Sequence, residues 1–185
     1  RIKKSDINFD AIKNAKLLYI APMNGDSTKV LDDIATFAHD NNVFVCFNAG
    51  SSSIKKGFNY LKKILANANI VVMNKEEAYS GEWPVKPYYK RDLAMGYAPD
   101  DTRETKYSEE PLHPDVKEML KKLKIRDYQV IVITDGKHGA YAYDGNQFYL
   151  CPVFDGPVVS TLGAGDAFAS TFCAALERNR LDIGR

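Results

Sequence analysis

Four short apolar runs constrain this chain more than any other feature: LLYIA (17–21), VFVCF (43–47), IVVM (70–73) and VIVIT (130–134). Each is rich in β-branched or aromatic residues and too short for a buried helix, so each reads as a strand covered on both faces. Between the first two, Val30, Leu31, Ile34, Phe37 and Ala38 recur at helical spacing. They predict an amphipathic helix that Asp26 and Ser27 can cap. The next crossover, capped near Ser53, presents Ile54, Phe58, Leu61 and Leu65 in the same way. Strands alternating with helices predict a parallel sheet with right-handed crossovers, hence an α/β fold of three layers, α-β-α. After VIVIT the pattern changes: YAYDGNQFYL sets Asp144, Gly145 and Asn146 between two alternating segments, which is hairpin chemistry. Pro114 then marks the first turn of a predicted helix, HPDVKEMLKKLK, that leads into VIVIT.

With 185 residues and 45% hydrophobic content the chain can bury one sizeable core, so it reads as one domain or a large part of one. The 25 basic and 24 acidic residues are mixed along the chain, which points neither to nucleic acid nor to an anionic membrane as partner. No apolar run reaches the roughly 18 residues a membrane helix needs, and RIKKSDINFD lacks the features of a secretory signal. A soluble, cytoplasmic protein is expected. Cys46, Cys151 and Cys173 are odd in number and far apart, which favours neither a disulfide framework nor a metal cluster and fits a reducing cytosol. The stretch 82–112, with Trp83, several tyrosines and four prolines, sustains no period. Length alone argues against a structureless connection inside a compact domain. It reads as an insertion over the site or toward a partner, with a short helix around YYKRDLAM, or as a surface excursion.

The chemistry concentrates in STLGAGDAFASTF (160–172). Glycines 163 and 165 let the backbone bend with its N–H groups turned outward, and the following helix adds the positive end of its dipole, so the turn can receive an anion. A Gly-rich turn with Asp166 as an ordinary cap is the plain alternative. A dinucleotide fingerprint fails: the third glycine is absent, no second βα unit follows, and Asp166 would face the pyrophosphate. The P-loop pattern fails because no Gly-Lys-Ser/Thr follows. An acid beside an anion cradle makes sense if the anion is transferred. The N–H groups of Ala164, Gly165 and Asp166 would then hold phosphoryl oxygens while the Asp166 carboxylate accepts the proton of the attacking hydroxyl.

VVMNKEEA, ITDGKHGAY and LGAGDAF, in that order, resemble the ribokinase-like, or PfkB-type, family of carbohydrate and nucleoside kinases, from about Leu17 to the C-terminus. The resemblance implies that Asp166 is the catalytic base and that Gly163, Ala164 and Gly165 form the anion hole. It implies that Asn74 and Glu77 place magnesium and the ATP phosphates, through water. Thr134, Gly136 and Gly139 would line the nucleotide phosphates and ribose, with Lys137 as a charge partner. Independently, NKEEA follows directly on IVVM, which puts Asn74 and Glu77 at the carboxyl edge of the sheet, where open α/β proteins bind ligands. One amide and one carboxylate suit hydrated magnesium, although without the other motifs the same pair reads first as a helix cap and its capping-box partner. His39, His113 and His138 read as exposed, not catalytic.

Ser160, Thr161 and Leu162 stand where the family commonly has the Asp-Thr-Thr of a monovalent-cation site, which leaves potassium dependence open. The family's Gly-Gly-Asn region, sugar-contacting acids and β lid have no counterpart, and the helices that complete the adenine side are cut short. Residues 1–185 are therefore expected to be a partial ribokinase-like domain with an atypical insertion at about 82–112. The implied function is ATP- and Mg2+-dependent phosphotransfer to a sugar or nucleoside hydroxyl, with room for a homodimer of the full-length protein and little turnover by the isolated chain. A non-catalytic nucleotide-binding or regulatory module, or an inert fragment, is the alternative.

Overall fold

The computed structural model describes residues 1–81, 83, 114–154, 156–157 and 160–179. The four apolar runs form β1 (Leu17–Ile20), β2 (Phe44–Asn48), β3 (Ile70–Asn74) and β4 (Val130–Thr134), and the predicted hairpin forms β5 (Ala140–Tyr143) and β6 (Phe148–Cys151). They build one six-stranded sheet in the order β1-β2-β3-β4-β5-β6. The first four strands are parallel and the last two pair antiparallel. Asp144 shapes the hairpin turn: its Oδ1 accepts the N–H groups of Asn146 and Gln147 at 2.7 and 2.8 Å.

A sheet whose strands follow in chain order must carry its same-handed crossovers on one face. That face holds α1 (Phe9–Lys13), α2 (Leu31–Asp40), α3 (Ser51–Ile54), α4 (Phe58–Asn67), α5 (Lys75–Ser80) and α6 (Pro114–Leu123), while α7 (Ala164–Arg178) lies on the other. The strand period of two sorts the side chains between the layers. Val45, Phe47, Val71, Met73, Ile131 and Ile133 join the helical core of α1 to α6. Cys46, Ile70, Val72, Val132 and Ala142 meet Ala169, Cys173 and Leu176 of α7. The three-layer α/β expectation is borne out.

Three local readings are corrected. Asp26 and Ser27 do not cap α2; they lie in a 3-10 turn, Gly25–Val30, where Asp26 pairs with Lys29 at 2.7 Å and with Arg1 at 3.1 Å. Its carboxylate is committed to cations, and α2 begins at Leu31 behind Val30. The second crossover is two helices, not one. Gly57, at φ +82°, breaks it, and Ser53 is buried inside α3, whose N-cap is Gly50. The apolar spacing runs on through the break, so Ile54, Leu61 and Leu65 are still buried. Finally, Cys46 and Cys173 are disulfide-bonded, with Cα atoms 6.6 Å apart, because β2 turns Cys46 toward the layer that α7 occupies. Cys151 is free and exposed.

Two buried polar residues tie the entry of β4 to its surroundings. The Lys124 ammonium donates to the carbonyls of Asp127, Gln129 and Asp144 at 2.6, 2.8 and 3.0 Å. The Gln129 amide donates to Leu65 and Ala68 and accepts from the N–H groups of Ile125 and Arg126. α6 begins at Pro114, as predicted. Of the stretch 82–112, Trp83 donates its indole N–H to the Ala78 carbonyl at 2.7 Å; the proposed helix around YYKRDLAM lies outside the described residues. Among the described residues no helix is long and apolar enough to cross a membrane.

Candidate functional site

The carboxyl ends of β1 to β4 share one edge of the sheet, and the segments leaving them are linked by polar contacts. At one end stands the turn before α7. Gly163, at φ +75°, is the N-cap and leaves it without a side-chain cap. The Ala164 N–H is taken by the Thr161 carbonyl at 3.1 Å, and the Ala167 N–H by the Gly163 carbonyl at 2.9 Å. The predicted cradle is therefore narrower than expected, since Ala164 spends its donor on the turn itself.

Asp166 is exposed in the first turn of α7 but does not cap it. Its Oδ1 accepts the Tyr19 hydroxyl at 2.9 Å and the Asn48 amide N–H at 3.1 Å, and Asn48 also donates to the Tyr19 oxygen at 3.0 Å. Burial, and then the neighbouring Asp166 acting against the Asn48 bond, push the Tyr19 phenol up to about 12, so it stays a donor. The sequence reading missed both partners. Tyr19 sits in an apolar strand run and reads as core; Asn48 reads as the start of a loop.

Three residues past Asn48, the Ser51 hydroxyl donates to Glu77 Oε1 at 2.8 Å. Asn74 and Glu77 form a capping box: Asn74 Oδ1 accepts the Glu77 N–H at 2.7 Å, and Glu77 Oε2 accepts the Asn74 N–H at 3.0 Å. The capping alternative is thus realised in this structure. Asn74 faces Thr134 across the β3–β4 ladder. Lys75 then pairs with Asp135 at 2.6 Å, which joins the start of α5 to the turn after β4 and raises the Lys75 pKa, chiefly through that hydrogen bond. Lys137 and His138 are exposed in the 3-10 turn Gly136–His138, as is His39 on α2. His113 lies outside the described residues.

The glycines of these motifs differ in why they are glycine. Gly136 has φ +51°, and Gly139, at φ +93°, is pressed against the Cys151 carbonyl, so the fold itself requires both. Gly163 is required by its left-handed backbone. Gly165 has no such backbone, and a Cβ there would meet nothing within 4 Å. The protein alone gives no reason for a glycine at that position.

The three-layer α/β fold is similar to that of solved ribokinase-family proteins. Residues 103–182, which include ITDGKHGAY and LGAGDAF but not VVMNKEEA, match the family model described as pfkB family carbohydrate kinase, which bears out the resemblance. A 50-residue segment is 40% identical to the 2-dehydro-3-deoxygalactonokinase of Haloferax volcanii, covering 27% of this chain and 16% of that protein. Among solved structures, the fold is similar to adenosine kinase of Anopheles gambiae in complex with P1,P4-di(adenosine-5) tetraphosphate. That likeness has a TM-score of 0.67 at 17% identity, over 98% of this chain and 50% of that one. It is also similar to the Methanocaldococcus jannaschii nucleoside kinase, with a TM-score of 0.57 at 19% identity, over 89% of this chain and 44% of that one. The chain thus spans half or less of these relatives' length.

Proposed function

We propose that this chain carries the phosphate-handling centre of an ATP-dependent kinase whose acceptor is a hydroxyl, a primary alcohol of a sugar or nucleoside. The observation that carries the reading is the pairing of Gly165 with Asp166. A glycine the fold does not need leaves the backbone open to close approach, and the next residue presents an exposed carboxylate that Tyr19 and Asn48 hold by one oxygen. A helix N-terminus that opens onto solvent favours phosphate oxygens. The carboxylate next to it can take the acceptor's proton as the new oxygen–phosphorus bond forms. Asp166 is the base in this reading, and Gly163, Ala164 and Gly165 shape the receiving turn.

The residues at the start of α5 fit a hydrated magnesium ion. Asn74 Oδ1 and Glu77 Oε2 each accept one hydrogen bond within the capping box, and Glu77 Oε1 accepts the Ser51 hydroxyl. Asn74 is exposed and Glu77 half-buried, so their remaining lone pairs can hold the ion's waters. Such an ion supplies charge neutralisation at the phosphates. Thr134 and Gly136 lie at the same edge for the nucleotide, with Lys137 free to turn toward it and Gly139 shaping the turn. A homodimer of the complete protein belongs to the same reading.

The test is ATP consumption by the complete gene product over a panel of sugars, sugar acids and nucleosides. Acceptor-dependent ADP release is expected; its absence across the panel, with nucleotide bound, would favour the non-catalytic binding module. Glu77→Gln keeps the capping box but removes the charge. Its magnesium requirement should rise while activity recovers at high magnesium, and an unchanged titration would leave Glu77 as a cap. The isolated 185 residues should bind nucleotide weakly and turn over no acceptor.

A further inference from the structure

We propose that Tyr19 and Asn48 are positioning residues that hold the Asp166 carboxylate by Oδ1 and leave Oδ2 to meet the acceptor hydroxyl; this rests on Asp166 being the base. The donor inventory of the cluster closes on itself. A tyrosine hydroxyl has one proton, and the geometry sends it to Asp166 Oδ1 at 2.9 Å. The Asn48 amide has two, directed to the same Oδ1 at 3.1 Å and to the Tyr19 oxygen at 3.0 Å. Oδ1 receives two hydrogen bonds, whereas among the described residues no donor reaches Oδ2.

The three groups come from β1, β2 and α7, elements far apart in sequence that the topology brings to one edge. Asn48 is 8% exposed and Tyr19 is half-buried against the α7 layer, so two of the three corners are fixed by packing. The Cys46–Cys173 bond ties β2 to α7 two residues before Asn48. Asp166 is otherwise on an exposed helical turn, where a free carboxylate would sample several rotamers. Fixing one oxygen selects a single orientation before substrate arrives, and misplacement of a reacting group by about 1 Å can cost about 10²-fold in rate. Tyr19 cannot share the base's work, since its phenol keeps its proton well above neutral pH.

The experiment uses the complete gene product with ATP–Mg and its best acceptor, and compares Tyr19→Phe, Asn48→Ala, Asp166→Asn and Tyr19→Phe combined with Asp166→Asn. Tyr19→Phe and Asn48→Ala should each lower kcat by about 10- to 100-fold. ATP affinity and the thermal midpoint of Tyr19→Phe should stay near the parent's. In the Asp166→Asn background Tyr19→Phe should cost nothing further, because a residue that acts through the carboxylate has nothing left to position. If Asp166→Asn is slow while Tyr19→Phe and Asn48→Ala keep the parent's kcat, the base stands and the positioning role is overturned. An equal loss from Tyr19→Phe in both backgrounds, or a loss matched by weaker ATP binding, also overturns it. Near-normal turnover by Asp166→Asn would instead remove the base reading beneath it. Tyr19→Phe keeps the ring and its packing, so the test holds even where Asn48→Ala does not fold.

Discussion

Gly165→Ala separates what the fold needs from what a ligand needs, because its two effects should have opposite signs. The backbone at Gly165 is not left-handed, and the added Cβ meets no atom within 4 Å. Position 165 lies in the first turn of α7, where alanine is preferred to glycine by about 0.5 to 1 kcal/mol. For a chain of this size that corresponds to a rise of about 1 to 4 °C in Tm. Gly163→Ala is the contrasting control. It must adopt φ +75°, which costs about 1 to 2 kcal/mol, so its Tm should fall. In the complete protein the Gly165 methyl would stand where phosphate oxygens come to the backbone. A displacement of about 1 Å there should lower kcat/KM by about 10²-fold, equivalent to about 2.7 kcal/mol. Thermal unfolding and steady-state kinetics on the same preparations give both numbers. A stabilised and fully active Gly165→Ala would refute the placing of the anion at this turn. A destabilised one would show that the glycine is there for packing.

Two further predictions concern the fold. Denatured without reductant, the chain should titrate one thiol, Cys151, and with reductant three; three thiols in both would contradict the Cys46–Cys173 bond. The bond spans 127 residues, so removing it with Cys46→Ala should lower stability by up to about 5 kcal/mol on the chain-entropy estimate. Lys124→Met should cost about 2 to 4 kcal/mol by leaving three carbonyls without their donor. Burial pushes the Lys124 ammonium down to about 8 from 10.5, so above pH 8 the unfolded chain binds more protons than the native one. Parent stability should therefore climb from about pH 8 toward pH 10, a rise that Lys124→Met abolishes. Above pH 10 the Tyr19 phenol, held up to about 12, acts with the opposite sign, and its contribution is lost as the pH approaches 12.

What the sequence disclosed was local. Strands covered on both faces are written as short β-branched runs, and VIVIT became β4 over the same residues. The turns at Asp144, Asn74 and Gly163 are set by side-chain and backbone chemistry within a few residues, so their motifs were legible. Helix starts were less so. Asp26 had a choice between a helix N-terminus and two cations, and the cations won. The partners of Asp166 were not legible. Tyr19 and Asn48 are 147 and 118 residues away, and each is ordinary in its own segment. Cys46 and Cys173 were missed for the same reason, since a separation of 127 residues carries no period. Only the strand order, which stacks the ends of β1 and β2 beside α7, brings these groups together.

The central claim, that Asp166 takes the proton of an acceptor hydroxyl, is tested most directly by Asp166→Asn in the complete protein, with turnover and nucleotide affinity measured side by side. Asparagine keeps the size and can still accept the Tyr19 hydroxyl's hydrogen bond at 2.9 Å, but it cannot take up a proton. The account predicts a fall in kcat of about 10²-fold or more with ATP affinity retained. Turnover within a few-fold of the parent's would contradict it.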